Sequence, residues 1–335
     1  MNLKNPTNRS HVDDYFLKLI FLVFFIAAFS LLSSAQAQNY PTKPIRILTG
    51  FAPGAPGEIV MRLIGDKLFA SAKQNIVIES HPGASGNIAT EIVSRSAPDG
   101  YTLFVGPDTV VTVNPHIYKK LSFSPADDLV PITYLTSTTQ TLVCNPSVPV
   151  SNLTEFIKIS KSQSLNYASG GPGVPGHLAM ELFMSMTDIK LNHIPYKGPA
   201  PAMQDVMGGS VPCGFLATPV VYPQVKSGKL KGIAVSGSVR SIIGPELPTV
   251  AEAGVVGYDA TFGEILLAPK GTPSSILVAW QEEVAKAFQD PNVRKSMLMN
   301  DLPPLANTQS DALARARVES LRWAKVVDKV KLKVD

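Results

Sequence analysis

The stretch Ile45-Arg46-Ile47-Leu48-Thr49-Gly50-Phe51-Ala52-Pro53-Gly54-Ala55-Pro56-Gly57-Glu58 decides how the rest of the chain is read. An apolar strand runs into a loop of glycine, alanine and proline, and residues 59–69 then carry helical spacing. In an open α/β sheet such a loop lies at the carboxyl end of its strand, where ligands bind. Glycine lets the backbone come close to a ligand. The helix start offers unpaired N–H groups and the positive end of its dipole to an anion. The same pattern also serves as an ordinary strand-to-helix turn.

Working outward, residues 75–79 read as a second strand, followed by the loop His81-Pro82-Gly83-Ala84-Ser85-Gly86-Asn87 and a helix over 88–96 that Pro98-Asp99-Gly100 stops. Residues 101–105 form a third strand, closed by Gly106-Pro107-Asp108-Thr109. This β-α-β-α-β order is that of a parallel sheet. Residues 114–130, with Pro115 and Pro125, read as an irregular crossing towards a second lobe. A strand over 129–135 precedes that lobe, and within it strands over 141–144, 165–168, 189–194, 211–216 and 231–235 alternate with helices over 152–162, 177–186, 200–207 and 219–227. A third glycine-rich loop, Ser169-Gly170-Gly171-Pro172-Gly173-Val174-Pro175-Gly176, follows the 165–168 strand. Residues 241–258 have linker composition. A strand over 264–268 returns to the first lobe, and helices over 276–289, 292–299 and 310–327 finish the chain. The expected fold class is therefore α/β, with two α/β lobes and a ligand cleft between them. Lobe 1 is residues 38–140 plus 259–335, and lobe 2 is residues 141–258.

The 335 residues are 45% hydrophobic and 17% charged, a globular composition with ample core. The net charge of +4 is mild and its bases are interleaved with acids, so no nucleic-acid-binding stripe is present. Residues 19–32 are an apolar run too short for a comfortable membrane span, preceded by Lys4, Arg9 and Lys18 and followed by Ala35-Gln36-Ala37. That is the form of a secretory signal, residues 1–37, with cleavage before Gln38. The mature protein is expected to be exported and soluble. Cys144 and Cys213 both lie in strand-like runs and are read either as a disulfide or as two buried thiols.

Several motifs together resemble one family. They are Tyr40-Pro41-Thr42-Lys43-Pro44-Ile45-Arg46, Phe51-Ala52-Pro53-Gly54, Pro82-Gly83-Ala84-Ser85-Gly86-Asn87, Ala97-Pro98-Asp99-Gly100-Tyr101-Thr102-Leu103 and His193-Ile194-Pro195-Tyr196-Lys197-Gly198, followed by Leu247-Pro248-Thr249-Val250-Ala251-Glu252-Ala253-Gly254 and Ala268-Pro269-Lys270-Gly271-Thr272-Pro273. In that order they are similar to the tripartite tricarboxylate transporter receptors, the Bug-type periplasmic solute-binding proteins. The resemblance spans essentially the whole mature chain. It implies a type II periplasmic-binding fold that closes over a small carboxylate, held mainly by loop amides and water, and passes it to a two-component membrane permease. No cofactor is implied.

The chain departs from the family pattern in ways that bear on the ligand. Ala55 stands for a second glycine and Glu58 for an Asp in the first loop. Pro172, Val174 and Pro175 replace polar residues in the third, where Ser169 remains. In Val211-Pro212-Cys213-Gly214-Phe215-Leu216 both acids usual to the family are gone. Fewer acids and hydroxyls suit a carboxylate with an apolar or aromatic body and no amine. The candidate ligand-binding residues are Phe51, Ala52, Pro53, Gly54, Ala55, Glu58, Gly86, Asn87, Thr109, Ser169, Gly170, Gly171, Gly173, His177, Tyr196, Lys197, Gly198, Leu216 and Thr218. Several have plainer readings. Glu58 is a first-turn acid stabilised by the helix dipole, Asn87 a helix cap, and Thr109 and Thr218 turn residues. His177 and Glu181 have helical i,i+4 spacing, which either binds metal or joins a helix-start histidine to an exposed partner. Gly171→Val is expected to abolish binding with the melting temperature within a few degrees of the parent.

A second function class, an enzyme on the same scaffold, lacks its motifs. Gly83-Ala84-Ser85-Gly86-Asn87 fails as a nucleophile elbow at its last position, and neither cysteine has an activating context. A sensor that presents its bound ligand to a membrane signalling protein is a third reading. The expected partners are a small carboxylate and the permease subunits, with the receptor itself a monomer.

Overall fold

Near-complete burial sets the first strand. β1 (Ile45–Thr49) buries every residue but Arg46, whose guanidinium grips Glu79 of β2 (Ile76–Ser80) at 2.7 Å. The computed structural model describes residues 40–334, so the signal and its cleavage site lie outside the described residues. α1 (Pro56–Ile64) starts at a proline whose fixed φ suits the first helical position. It ends at Gly65, well short of residue 69, and Phe69 and Lys73 turn left-handed beyond it. α2 (Asn87–Ser94) and the fully buried β3 (Thr102–Pro107) complete the β-α-β-α-β run. Residues 114–130 are more ordered than expected. After the short α3 (Thr109–Thr112) they hold α4 (Asn114–Ile117) and α5 (Pro125–Asp128), each with proline in its first turn. β4 (Leu129–Thr138) follows.

Only Thr139 separates β4 from β5 (Gln140–Cys144). Then come α6 (Leu153–Ser162), capped by Asn152, whose side chain accepts the Glu155 N–H at 2.9 Å, β6 (Leu165–Ser169), α7 (Pro175–Thr187), β7 (Leu191–Pro195), α8 (Pro199–Met207), β8 (Cys213–Ala217), α9 (Thr218–Lys226) and β9 (Lys231–Val235). β10 (Phe262–Pro269), α10 (Ser274–Gln289), α11 (Pro291–Leu298) and α12 (Gln309–Val330) finish the chain. No helix among the described residues is long and apolar enough to cross a membrane.

The strands form two five-stranded sheets of matching order, β2-β1-β3-β10-β4 and β7-β6-β8-β5-β9. The sheets are mixed rather than wholly parallel. β1 pairs in parallel with β2 and β3, as β6 does with β7 and β8. The strand arriving from the opposite sheet, β10 in one and β5 in the other, runs antiparallel to its neighbours. That inversion is how the chain enters each sheet from the side of the other. The matching strand orders make β1-loop-α1 and β6-loop-α7 topological equivalents, each led by the second strand of its sheet.

Cys144 and Cys213 face each other in register across β5 and β8 as buried free thiols. The neighbouring thiol and burial both push the Cys213 thiol up, which keeps it protonated and unreactive. One apolar cluster joins the two halves: Leu142, Phe156, Phe183 and Phe215 pack with Val113 and Ile117 of the first sheet's helices, with Phe262, and with Trp323 and Val327 of α12.

Candidate functional site

The three glycine-rich loops converge between the sheets. Gly50 and Gly86 touch backbone to backbone, since a Cβ on Gly50 would lie 2.2 Å from Gly86 Cα. Across the cleft the Ala52 N–H donates to Lys197 O at 2.8 Å. The Ser85 hydroxyl donates to Pro172 O at 2.5 Å and accepts the Tyr118 O–H at 3.0 Å. Phe51 and Ala55 pack on Val174 of the facing loop. The lobes therefore meet along a seam of backbone carbonyls and small side chains. Beneath it lies a cavity of about 40 Å³, between the first turns of α1 and α7, bordered by Pro56, Pro175, Gly176, Gln140, Phe215 and Glu264 among others. Phe51 and Gly170 divide it from a wider hollow of about 390 Å³ on the outer side of the seam, which Ser85, Tyr118, Gly171, Tyr196 and Lys197 help to line.

The third loop owes its shape to two histidines. The Gly173 N–H donates to His177 Nδ1 at 2.8 Å, and His177 Nε2 lies 3.3 Å from Glu181 Oε1. The His177 ring stacks on His193 at 3.9 Å, and His193 stacks in turn on Tyr167 at 5.0 Å. His193 Nε2 lies 2.7 Å from Ser169 Oγ, which also takes the Gly171 N–H at 3.2 Å. Burial, and then the neighbouring His177, press the His193 imidazole down to about 3, so His193 enters the stack as a neutral ring. This accounts for the i,i+4 pair: His177 is buried and one of its ring nitrogens is taken by the loop.

The first loop is held by Glu58. Its carboxylate accepts the Gly54 N–H at 2.8 Å and the Arg62 guanidinium at 2.6 Å. Deeper lies a pair of acids. Glu264 on β10 and Asp108 after β3 are both fully buried, and each has one oxygen, Oε2 and Oδ1, with no hydrogen-bond partner among the described residues. Asp108 Oδ2 accepts the Tyr134 O–H at 3.2 Å. Burial raises both carboxyls, Asp108 to about 7, while the Gly57 N–H in the first turn of α1 acts against the rise at Glu264.

Of the expected site residues, Phe51, Ala55, Gly170 and Leu216 border the inner or both cavities, and Gly171, Tyr196 and Lys197 border the outer hollow. Ala52, Gly198 and Gly173 lie on the seam: a Cβ on Gly198 would stand 3.2 Å from Ala52 N, and one on Gly173 would stand 2.1 Å from Ile117 Cδ1. Pro53 is exposed, and Gly54, Glu58, Ser169 and His177 hold the loops as described. Gly86 lies under Phe51 and Val110. Asn87 is not the cap of α2. Gly86 occupies that position, and the Asn87 Oδ1 accepts the Asn114 side-chain N–H at 2.6 Å. Thr109 is buried at the start of α3, its hydroxyl without a partner among the described residues. Thr218 is tied to Thr139 and Thr141 at the crossing between the sheets. Glu264 and Gln140 were not among the expected residues. An acid inside the otherwise apolar run Phe262-Gly263-Glu264-Ile265-Leu266-Leu267-Ala268 is the signal that marks the first. Nothing in the composition around Gln140 marks the second.

Comparison with known proteins agrees with this architecture. Residues 60–332 match the model of the tripartite tricarboxylate transporter family receptor. Protein BugT of Bordetella pertussis is 31% identical over 306 residues, covering 90% of this chain and 94% of that protein. The solved structure of R. palustris Rpa4515 with adipate is 29% identical and covers 88% of this chain and 99% of its own, with a TM-score of 0.85. MatC from Rhodopseudomonas palustris with bound malate is 28% identical and covers 86% and 100%, with a TM-score of 0.81. A family match across this length, on a two-lobed fold whose equivalent loops face one cavity, has one meaning: the chain belongs to the tripartite tricarboxylate transporter receptor family, the Bug-type solute-binding proteins.

Proposed function

We propose that this protein is a periplasmic receptor that closes its two lobes over a small carboxylate and hands it, as a monomer and without chemical change, to a tripartite membrane permease. The observation that carries the reading is the inner cavity. Two topologically equivalent helices, α1 and α7, open their first turns onto it, and glycine-rich loops bring backbone amides to its wall. First-turn amides have no partner within their helix and present a positive dipole end, which suits an anion. Each charge-assisted hydrogen bond contributes roughly 1.5–3 kcal/mol. Three or four on a pre-organised site reach the roughly 8 kcal/mol of a micromolar ligand. That two relatives of similar fold hold adipate and malate supports the carboxylate. The wall of Phe51, Val174, Phe215 and Leu216 favours an apolar body on it.

The test is calorimetric and thermal titration of the mature protein with mono-, di- and tricarboxylates and amino acids. A ligand that binds only the folded state adds about 2.7 kcal/mol of stability at 100 times its Kd. We expect at least one carboxylate to raise the melting temperature by several degrees. No shift with any of them would overturn the reading.

A further inference from the structure

Resting on the carboxylate reading above, we infer that Glu264 selects the ligand: the cavity takes a small carboxylate that also carries a protonated amine, with the ammonium on the Glu264 carboxyl and the carboxylate towards the Gly170 loop and the first turn of α7.

The two helix ends that border the cavity are not equivalent. The first turn of α1 already faces a carboxyl of the protein itself, since the Gly57 N–H is directed at Glu264. A Cβ on Gly57 would stand only 2.7 Å from Glu264 Oε2, so the acid lies directly on that helix end. The first turn of α7, with Gly176 on the cavity wall and Gly170 beside it, meets no acid from the protein among the cavity's lining residues. The cavity thus has a carboxyl at the α1 end and a helix start without one at the α7 end.

Glu264 is 2% exposed, lines the cavity, and leaves Oε2 without a hydrogen-bond partner among the described residues. A buried oxygen in that state costs free energy until a donor reaches it. An ammonium is the donor that gains most there, because it answers the lone pair and supports the carboxylate form that burial alone disfavours. Asp108, the neighbouring buried acid, raises the same carboxyl further, which leaves the pair short of a cation to balance it. A second carboxylate on the ligand brings no positive charge to this acid pair and leaves it protonated. The volume of about 40 Å³ admits the ammonium end, and the rest of the ligand extends past Phe51 and Gly170 towards the hollow of about 390 Å³ that they also border. Loss of the two acids near Leu216 suggested a ligand without an amine; Glu264 supplies an acid from the other lobe.

The experiment is titration calorimetry of the mature protein, parent and Glu264→Gln, with matched probes. These are straight-chain acids of four to six carbons bearing no amine, an α-amine, a terminal amine or a second carboxylate, together with 3-phenylpropanoate and phenylalanine. In the parent an amine-bearing acid is expected to bind about 10- to 100-fold more tightly than its amine-free counterpart, the worth of one charge-assisted bond. Glu264→Gln keeps the shape and should remove most of that difference, with the variant melting no lower than the parent. Dicarboxylates or plain acids binding the parent as tightly as the amine-bearing probes would overturn the inference and leave the carboxylate receptor standing. So would an amine preference unchanged in Glu264→Gln. The comparison among probes on the parent alone decides the matter should the variant fail to fold. Absence of any binding would overturn the inference together with the reading beneath it.

Discussion

At the scale of single residues, two buried acids, Asp108 and Glu264, oppose the half-buried His193. Burial pushes Asp108 up to about 7 and raises Glu264 as well. In the unfolded chain such groups ionise near about 4. Above that pH the folded state therefore binds more protons than the unfolded one, and stability falls as pH rises. His193, pressed down to about 3, does the reverse. The unfolded chain takes up its proton below about 6.5, so stability falls as pH drops through that window. Between pH 5 and 6.5 two acids act against one histidine, and stability should decline with rising pH. Urea midpoints across this range should fall more steeply in His193→Gln and flatten in Asp108→Asn. Equal slopes in all three proteins would mean these groups are not buried as described. Gly171 is a separate case. Its φ of +138° is one that side chains rarely adopt, and a Cβ there would lie 3.2 Å from Tyr196 O. The expectation that Gly171→Val leaves stability nearly untouched is therefore corrected. Such strain costs about 1–3 kcal/mol, so the variant should lose ligand binding and also melt several degrees lower. An unchanged melting temperature would show that the loop can take another path.

At the scale of elements, most of the fold was legible because each strand is a short apolar run and each helix start carries its own punctuation. Asn152 before α6 and Pro56 at the start of α1 are such marks. What stayed hidden was long-range. Nothing within β10 says that it runs antiparallel between β3 and β4, because an apolar strand buried on both faces reads alike in either direction. The short helices at Asn114–Ile117 and Pro125–Asp128 were hidden by their prolines, which signal a break and also begin a turn. The site was legible as loops and not as partners. Gly170 and Phe51 could be placed near a cleft from their glycine-rich setting. Asn87 was misread because Asn is both a common cap and a side chain able to reach Asn114, from which 27 residues separate it. The His177–His193 stack joins two elements whose spacing carries no signature.

At the scale of the molecule, the lobes are joined by more than the strand crossings. α12 packs on β4 and α3 of the first lobe and on α7 of the second. Its Trp323 lies fully buried against Phe262, ring centroids 5.0 Å apart, within the cluster that also holds Phe183 and Phe215. A core shared in this way couples the stability of the halves, because unfolding either one exposes apolar surface of the other. The protein should therefore unfold in one calorimetric transition, its van't Hoff and calorimetric enthalpies equal, although the chain builds two sheets. Trp323→Ala removes the side chain that closes this junction and should cost about 3–5 kcal/mol. With the junction weakened the lobes need no longer melt together, so the variant should show a broadened or divided transition at lower temperature. The cleft-side seam contains neither Trp323 nor Phe262, so a ligand that clasps the lobes through the Gly170 and Phe51 loops should restore part of the lost cooperativity. Two resolved transitions in the parent, or a sharp single one in Trp323→Ala, would show that the shared core does not set the coupling and that the crossings at Thr139 and after β9 suffice.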